Sequence, residues 1–369
     1  MTETMPAPAP AAVRPGAGGR PPDGTPTSEN RTMVEALGAA LRDAMAADDR
    51  VVVFGEDVGA LGGVFRVTSG LRDAFGDERC FDTPLAEAGI VGFAVGMAMY
   101  GSRPVVELQF DAFAYPAFEQ IVSHVAKMSA RTAGRVRLPI VLRIPYGGGI
   151  GAVEHHSDSS EAYYAHTAGL KVVTPSTPAD AYVLLRAAID DPDPVVFLEP
   201  KRLYWNRSPQ PDVDVPPAPL GRAAVRRAGQ DVTLITYGPA VPLALAAAQA
   251  AAGRGWSVEV VDLRTLVPFD DETVVASVRR TGRALVVHEA SGFAGMGAEI
   301  AARVSERCFH SLAAPILRVT GFDVPYPPPK LEQHHLPGVA RILGALGRLQ
   351  WDDQPDTYWL AGPPPGDRR

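Results

Sequence analysis

Short apolar runs and longer amphipathic stretches alternate along residues 31–205. The first stretch, Thr32–Ala47, places Val34, Leu37 and Leu41 on one face and predicts a helix, and the apolar run Val51–Phe54 predicts a strand after it. Later runs predict strands at Pro104–Leu108, Pro139–Ile144, Leu170–Val173 and Val195–Leu198, and helices at Glu87–Tyr100, Pro116–Ser129, Ser160–Thr167 and Pro178–Ile189. Continuous apolar strands between helices indicate a mainly parallel sheet covered on both faces, which binds ligands beyond the carboxyl ends of its strands.

The alternation breaks at a proline-rich stretch and then resumes. Five prolines between Asn206 and Pro219 predict an extended linker over residues 206–222. Beyond it, the apolar runs at Asp231–Tyr237, Trp256–Val261 and Ala284–Val287 repeat the strand-helix pattern over residues 223–350. We therefore predict an α/β protein with two doubly wound domains, a disordered Pro/Ala-rich tail over residues 1–30 and a polar tail over residues 351–369.

Composition narrows the class of protein. The 369 residues are 46% hydrophobic and 21% charged, and the net charge of −7 gives no basic footprint for nucleic acid. Cys80 and Cys308 match no metal-site spacing and suit buried thiols in a reducing compartment. The apolar run Ala88–Tyr100 is too short to span a bilayer, which needs about 20 residues, and the N-terminus has no signal-peptide core. We expect a cytoplasmic protein that binds neither membrane nor nucleic acid.

Glu87 is the only charged residue within Thr83–Tyr100. Thr83 and Pro84 have the character of an N-cap and a first helical residue, so Glu87 is expected in the first turns of a helix that is buried on most sides. Two interpretations are open. The helix dipole and the unpaired N–H groups of the first turn favour a glutamate there and are the default explanation. Alternatively, the carboxylate faces a ligand in an apolar cleft and exchanges a proton with a heterocycle.

A glycine-rich loop follows the predicted strand Pro139–Ile144 and delivers His155 and His156. In an extended segment these neighbours point to opposite sides, so at most one is the working imidazole. The alternative is a surface loop whose polar residues cap the next helix; a zinc site has less support, because no third-ligand spacing is nearby.

Two other polar insertions also allow either a structural or a functional explanation. Gln109 closes a predicted strand, and Phe113 follows it as either a core residue or a platform for a planar ring. Residues 188–194 form a proline-bounded acidic turn, which is either solvated or a site for a hard cation. His288 and Glu289 precede a glycine-rich stretch that matches no nucleotide fingerprint, so we assign no nucleotide site there.

Five segments taken together resemble the beta subunit of thiamin-diphosphate-dependent 2-oxoacid dehydrogenases. They occur in order at residues 83–87, 107–110, 156–158, 165–175 and 288–290, and the resemblance extends from Arg31 to about Leu349. It implies a transketolase-like pyrimidine-binding domain over residues 31–205 and a transketolase C-terminal-type domain over residues 223–350.

The resemblance also implies roles for individual residues. Glu87 corresponds to the glutamate that hydrogen-bonds the aminopyrimidine ring of thiamin diphosphate and promotes the tautomer that activates the cofactor. Leu85, Gln109 and Phe113 correspond to cofactor-contacting positions, although position 113 is Tyr in some relatives. His156 resembles the histidine that orients the substrate and assists reductive acylation of lipoamide, and Asp158 stands where relatives often carry Gln. Ala188, through its carbonyl, with Asp191 and Asp193, resembles a structural potassium site.

One family feature is missing from this chain. Thiamin enzymes hold the diphosphate through magnesium bound by a Gly-Asp-Gly motif, and neither Gly76-Asp-Glu78 nor Gly366-Asp-Arg368 fits it. The resemblance therefore implies an alpha subunit that holds the magnesium and the diphosphate in an α2β2 heterotetramer, which docks to a lipoyl-bearing dihydrolipoyl transacylase core.

The stretch Glu154–Ala162 looks most like branched-chain 2-oxoacid enzymes, with a pyruvate or acetoin dehydrogenase beta subunit as the alternative. A non-catalytic scaffold with the same fold has less support, because Glu87 and His156 are intact. A stand-alone transketolase-like enzyme is opposed by the missing diphosphate motif.

Overall fold

The computed structural model describes residues 30–209 and 219–350. Within these ranges the strands are β1 (Asn30–Thr32), β2 (Val51–Gly55), β3 (Cys80–Asp82), β4 (Arg103–Glu107), β5 (Val141–Tyr146), β6 (Lys171–Val173), β7 (Val195–Pro200), β8 (Arg207–Pro209), β9 (Ala224–Arg227), β10 (Val232–Thr236), β11 (Val258–Asp262), β12 (Thr265–Val267), β13 (Ala284–Ser291) and β14 (Leu317–Gly321). The α-helices are α1 (Met33–Ala47), α2 (Leu71–Phe75), α3 (Glu87–Met99), α4 (Phe118–Gln120), α5 (Met128–Arg131), α6 (Glu161–Ala165), α7 (Pro178–Asp190), α8 (Val241–Ala252), α9 (Asp271–Thr281), α10 (Met296–Cys308), α11 (Glu332–His335) and α12 (Val339–Gln350).

The first sheet has the strand order β12-β6-β7-β5-β4-β2-β3. Its strands are parallel except β12, which runs antiparallel to β6. Every residue of β2, β5 and β7 is buried, because α1 and α7 cover one face of the sheet and α3 covers the other. The predicted doubly wound arrangement of this half is confirmed.

The carboxyl ends of β2, β4 and β5 lie side by side. Gly55 pairs with Glu107, and Glu107 pairs with Arg143, so the loops that follow these strands leave the sheet along one edge. This edge carries the segments that begin at Glu56, Gln109 and Gly147, and it positions the candidate site described below.

The second sheet has the order β14-β13-β10-β11-β9, with β9 antiparallel at one edge. Helices α8 and α12 pack on one face. The other face belongs to an apolar cluster that includes α9 and α10 and continues into the first sheet. The second half of the chain is therefore also doubly wound, and the two halves share part of their core.

The start of α3 differs from the expectation. The helix begins at Glu87 after Ala86, so Thr83 is not its N-cap and Pro84 is not its first residue. The backbone N–H of Thr83 instead donates to the carbonyl of Gly55 at 3.0 Å, which continues the pairing of β2 with β3. One face of α3 is exposed along its length and includes Ala88, Gly89, Phe93, Gly96 and Met99, while the other residues of the helix are buried or half-buried.

The single helix predicted over Pro116–Ser129 is broken into short pieces. A 3-10 helix at Ala112–Ala117 leads into α4, a π-helical turn at Ile121–Val125 and then α5. Pro116 has no N–H to donate to a continuous helix, and the N–H of Ala126 bonds the carbonyl of Ile121 at 2.9 Å, five residues back.

The predicted linker and tails fall partly outside the described ranges. Residues 1–29, 210–218 and 351–369 are not described, so the expectations of a disordered tail, a linker centre and a polar tail lie there. Within the linker, Arg207–Pro209 forms β8, which pairs antiparallel with β1. In addition, β12 joins the first sheet although it follows the linker, because the backbone at residues 264–267 pairs with the segment at residues 172–174.

Both cysteines are buried and free, as expected. Among the helices in the described ranges, none is long and apolar enough to cross a membrane.

Candidate active site

Glu87 is the first residue of α3, and its side chain is only 9% exposed. Its carboxylate lies close enough to Glu56 to matter electrostatically. Burial raises the pKa of Glu56, and the negative charges of Glu87 and Asp57 raise it further. Oε1 of Glu56 is buried and has no hydrogen-bond partner among the described residues. The helix dipole accounts for Glu87 alone, but it does not account for a second carboxyl group held beside it.

Gln109 belongs to the same corner of the sheet. It lies two residues beyond β4, and its amide donates to Oδ2 of Asp57 at 3.0 Å. Leu85, just before α3, is 80% exposed and does not enter the core. We name Glu56, Asp57, Glu87 and Gln109 the acidic corner; an exposed apolar side chain stands next to it.

The histidine loop comprises residues 147–158. Its ends are joined by a hydrogen bond from the N–H of Gly147 to the carbonyl of Asp158 at 2.7 Å. The two histidines lie in a 3-10 helix at Glu154–His156, so the expected extended segment is wrong. The helical turn nevertheless separates the two rings, because His155 is exposed whereas His156 is partly buried.

His156 packs against two phenyl rings that also contact each other, with their centroids 5.4 Å apart. Its ring centroid is 4.4 Å from that of Phe110 and 5.2 Å from that of Phe113. Nδ1 of His156 is buried and has no hydrogen-bond partner among the described residues. The structure therefore holds one imidazole against an aromatic pair and leaves one of its ring nitrogens without a partner among the described residues.

Phe113 connects the two parts of the site. It lies on the 3-10 helix Ala112–Ala117, which packs against α3, and its ring contacts His156. In the same helix, the hydroxyl of Tyr115 donates to Oδ2 of Asp158 at 2.9 Å and ties this helix to the end of the histidine loop. Of the predicted site residues, Phe113 and His156 are thus in direct contact, whereas Glu87 and Gln109 are connected through Glu56 and Asp57.

Two buried ionisable residues near the histidine loop, Asp111 and Lys201, could not be recognised as site residues from the sequence. Asp111 is fully buried and accepts hydrogen bonds from the N–H and the hydroxyl of Ser160, at 2.8 and 2.5 Å. The ammonium of Lys201 lies 5.7 Å from the centroid of the Phe110 ring and has no hydrogen-bond partner among the described residues. Burial raises the pKa of Asp111 and lowers that of Lys201. In the sequence, Asp111 and Lys201 are each a single charged residue after a strand. Many surface residues show the same pattern, so it does not distinguish these two as buried.

The acidic turn that resembled a potassium site already has cationic partners. Lys171 donates to both carboxylate oxygens of Asp191, at 2.6 and 2.7 Å, and Arg137 donates to Asp193 at 2.5 Å. Ala188 is buried in the last turn of α7. Across residues 30–209 and 219–350, no cluster of three or more His, Cys, Asp or Glu side chains has a metal-binding arrangement. The potassium site stays a prediction.

His288 has a structural environment. Its Nε2 accepts a hydrogen bond from the N–H of Gly297 at 3.1 Å, and its ring stacks on Tyr237 with centroids 5.9 Å apart. Burial lowers the pKa of His288 to about 4, so this imidazole is neutral at physiological pH.

Comparison with known protein families gives two matches that together span most of the chain. The model "Transketolase, pyrimidine binding domain" matches residues 29–206, and "Transketolase, C-terminal domain" matches residues 221–342.

Curated relatives cover nearly the same span. The 3-methyl-2-oxobutanoate dehydrogenase subunit beta of Mycobacterium tuberculosis is 57% identical over 323 residues, which are 87% of this chain and 92% of that protein. The pyruvate dehydrogenase E1 component subunit beta of Leifsonia xyli is 53% identical over 88% of this chain and 96% of its own length. The 2-oxoisovalerate dehydrogenase subunit beta of Pseudomonas aeruginosa is 46% identical over 88% of this chain and 96% of its own length.

Among solved structures, a chain described as "Split gene transketolase, inactive beta4 tetramer" matches with a TM-score of 0.69 at 24% identity, over 86% of this chain and 98% of that one. At this identity the match supports the fold alone.

Proposed function

Because this chain belongs to the family of thiamin-dependent 2-oxoacid dehydrogenase beta subunits, we propose that it supplies half of an active site that decarboxylates a branched-chain 2-oxoacid. The acyl group then passes to a lipoyl domain. The observation that carries this proposal is the acidic corner, where Glu87 heads a helix beside Glu56 and Gln109.

The residues of this corner fit the aminopyrimidine ring of thiamin diphosphate. That ring presents an amino group and ring nitrogens, and Oε1 of Glu56 and the hydroxyl of Thr83 are buried polar atoms without a partner among the described residues. Glu87 would hold a proton at a ring nitrogen, and Gln109 would hydrogen-bond the ring edge. Leu85 and Phe113 would contact its faces. When bound, the cofactor supplies a positively charged ring that acts as an electron sink.

His156 is proposed to act on the substrate and the lipoyl group. Its ring packs against Phe110 and Phe113, which restrict its orientation, and its Nδ1 is unpartnered in the described part of the chain, so this imidazole has hydrogen-bonding capacity that the protein does not use. His155 is exposed, and its ring centroid lies farther from that of Phe113, at 6.0 Å.

A second subunit is proposed to complete the site. The sequence has no Gly-Asp-Gly motif, and the described residues offer no cluster of metal ligands for a magnesium diphosphate. Beside Glu87, Leu85 and the exposed face of α3 present apolar surface. We propose that an alpha subunit binds there in a cytoplasmic α2β2 heterotetramer, holds the magnesium and diphosphate, and docks with this chain to a lipoyl-bearing dihydrolipoyl transacylase core.

The implied potassium site remains part of this proposal. The carbonyl of Ala188 with Asp191 and Asp193 would bind the ion in competition with Lys171 and Arg137. Equal melting temperatures of the reconstituted protein in KCl and in NaCl would contradict it.

The substrate is tested by reconstituting this chain with its alpha subunit and measuring carbon dioxide release from 3-methyl-2-oxobutanoate and from pyruvate. A pocket shaped for a branched side chain gains binding energy from each added methyl group, so we expect kcat/KM to favour 3-methyl-2-oxobutanoate by about tenfold or more. The relative named for that acid is 57% identical and the one named for pyruvate is 53% identical, so pyruvate is the second candidate.

A preference for pyruvate or acetoin would contradict the branched-chain assignment and leave the family unchanged. The control is this chain alone with thiamin diphosphate and magnesium, for which we expect no turnover. Turnover without a partner would instead support a stand-alone transketolase-like enzyme.

A further inference from the structure

Carboxylates from the second half of the chain hold the beginning of the histidine loop. The N–H groups of Gly149 and Gly151 donate to Oε2 of Glu332, at 3.1 and 3.2 Å. The hydroxyl of Tyr326 donates to the same oxygen at 2.8 Å. One residue earlier, the N–H of Gly148 donates to Oε1 of Glu289. Three backbone donors of one short segment are thus taken by two side chains far away in the sequence.

The glycines make this close contact feasible. A Cβ on Gly148 would overlap the hydroxyl of Tyr326, so only a bare backbone fits against that ring. Gly149 has φ +83°, a left-handed conformation that side chains disfavour. The glycine-rich sequence therefore suits a backbone that must approach Tyr326 and Glu332 closely.

Among the described residues, these donors are the hydrogen-bond partners of the Glu332 side chain. Its side chain is 8% exposed, and it has no salt bridge in the described part of the chain. Glu289, by comparison, lies 2.9 Å from the guanidinium of Arg202. Removing this carboxyl group would leave the N–H groups of Gly149 and Gly151 without this acceptor, which is costly for partly buried groups, so the loop depends on Glu332.

The segment between Gly151 and His156 is largely exposed, including Val153, Glu154 and His155. The next contacts along the chain are those of the His156 ring with Phe110 and Phe113. Only four residues separate Gly151 from His156. The backbone position set at Gly149 and Gly151 therefore limits where the 3-10 helix can lie, and with it the side of the aromatic pair on which the imidazole packs.

We propose that Glu332 is a positioning residue for His156: by accepting the N–H groups of Gly149 and Gly151, it holds the imidazole in place for acyl transfer to the lipoyl group. This inference rests on the proposed role of His156. Glu332 acts through the loop and does not itself contact the reacting groups.

The test compares Glu332→Ala, Glu332→Gln and Tyr326→Phe with the control Glu306→Ala, all in the complex reconstituted with the alpha subunit. Glu306 is an exposed glutamate on α10. Hydrogen exchange of the amides in residues 147–153 reports the contact itself. We expect faster exchange in Glu332→Ala and unchanged exchange in Glu306→Ala. Glu332→Gln, whose carboxamide oxygen still accepts, should lie between the wild type and Glu332→Ala.

Two half-reactions then separate positioning from general damage. Decarboxylation is followed with an artificial electron acceptor, and acyl transfer is followed with an isolated lipoyl domain. For Glu332→Ala we expect kcat of acyl transfer to fall on the order of tenfold, because small misplacements of a catalytic group are costly, while decarboxylation stays within about twofold. Glu332→Gln and Tyr326→Phe should show smaller losses in the same half-reaction.

Unchanged exchange, or an equal fall in both half-reactions, would overturn the inference. If Glu332→Ala does not assemble, the two milder variants give the same comparison. His156→Ala separates the two levels of the account. If it leaves acyl transfer intact, the proposed role of His156 fails and this inference fails with it. If it abolishes acyl transfer while Glu332→Ala does not lower it, only the positioning role is overturned.

Discussion

Arg143 and Glu161 are both buried. The surroundings of Arg143 stabilise its charged form, whereas those of Glu161 disfavour its charged form. Arg143 donates to Glu107 at 2.7 Å and to both oxygens of Glu199, at 2.6 and 2.9 Å. Glu161 accepts one hydrogen bond, from the hydroxyl of Tyr237 at 2.7 Å, and its Oε2 has no partner within the described ranges. A buried carboxyl without a cation favours its neutral form.

Burial raises the pKa of Glu161 to about 7, with Asp111 and Glu289 adding negative charge nearby. The folded state therefore holds this proton more tightly than the unfolded state, whose pKa is near the ordinary 4.5. Stability is lost as the pH rises from about 4.5 to about 7, and the loss is complete above that range. Glutamine at position 161 does not titrate, so the Glu161→Gln variant does not lose this stability. The free energy of unfolding of Glu161→Gln minus that of the wild type should therefore increase by up to about 3 kcal/mol between pH 5 and pH 8.

Urea unfolding of the isolated chain at several pH values measures this difference. Glu306→Gln, at an exposed position, serves as the control and should show no such trend. A relative stability of Glu161→Gln that does not change with pH would contradict the account of Glu161.

Single residues were predictable where the local sequence isolates them. Glu87 is conspicuous because its segment is otherwise uncharged, and His156 because it follows a glycine-rich loop. Glu332 was not predictable, because it lies 183 residues from Gly149 and only the packing of the two halves brings them together. Lys201 was missed for a similar reason, since its place over Phe110 is a tertiary contact.

At the scale of elements, α3 joins the site to an exposed surface. Its N-terminus carries Glu87, its outer face presents Phe93 and Gly96, and Tyr100, directly after the helix, is 95% exposed. Exposed apolar patches of this kind mark interaction surfaces, and this one begins at the incomplete site. We therefore expect the alpha subunit to contact this face.

Gly96→Leu tests that contact. A Cβ at Gly96 meets nothing within 4 Å, so the isolated chain has room for the new side chain and should gain up to about 1 kcal/mol from better helix propensity. In the heterotetramer the added bulk should obstruct the approach of the partner and weaken assembly by tenfold or more, as measured by analytical ultracentrifugation, on the order of 1.4 kcal/mol.

Gly344 provides the matched control. It is an exposed glycine on α12 whose Cβ would also meet nothing within 4 Å. Gly344→Leu should therefore raise helix stability similarly and leave assembly unchanged. Normal assembly of Gly96→Leu would show that α3 does not face the alpha subunit.

Strands β2, β5 and β7 were predictable to within two residues at each end because they are buried on both faces and are continuously apolar in sequence. The short strands β1, β3, β8, β9 and β14 were not predicted. The division of residues 112–131 into short helical pieces was not predictable. Pro116 and a π-helical turn divide this apolar stretch, and the sequence has no further strong helix breaker that marks where the other pieces begin and end. Strand β12 was also missed as a member of the first sheet, since its pairing with β6 depends on the docking of the two halves.

At the scale of the whole molecule, the two halves are interdependent. One apolar cluster includes Ile144 of the first sheet and Ile235 of the second, and β12 crosses from one half to the other. Glu332 extends this dependence to the histidine loop. The C-terminal half therefore does more than flank the site, because it shapes the loop that carries His156.

The molecule as described still contains only the pyrimidine half of the proposed site. The central claim is that Glu87 activates a cofactor whose diphosphate is held by another subunit. It is tested most directly by Glu87→Gln, which keeps the size of the side chain and removes its ability to exchange a proton. Glu306→Gln, in the same complex, is the control.

The measurement is the rate of carbon dioxide release from 3-methyl-2-oxobutanoate by the reconstituted complex at saturating thiamin diphosphate and magnesium. The account predicts that Glu87→Gln lowers this rate by about 100-fold or more while Glu306→Gln leaves it unchanged. A Glu87→Gln complex that assembles normally and releases carbon dioxide at the wild-type rate would contradict the account.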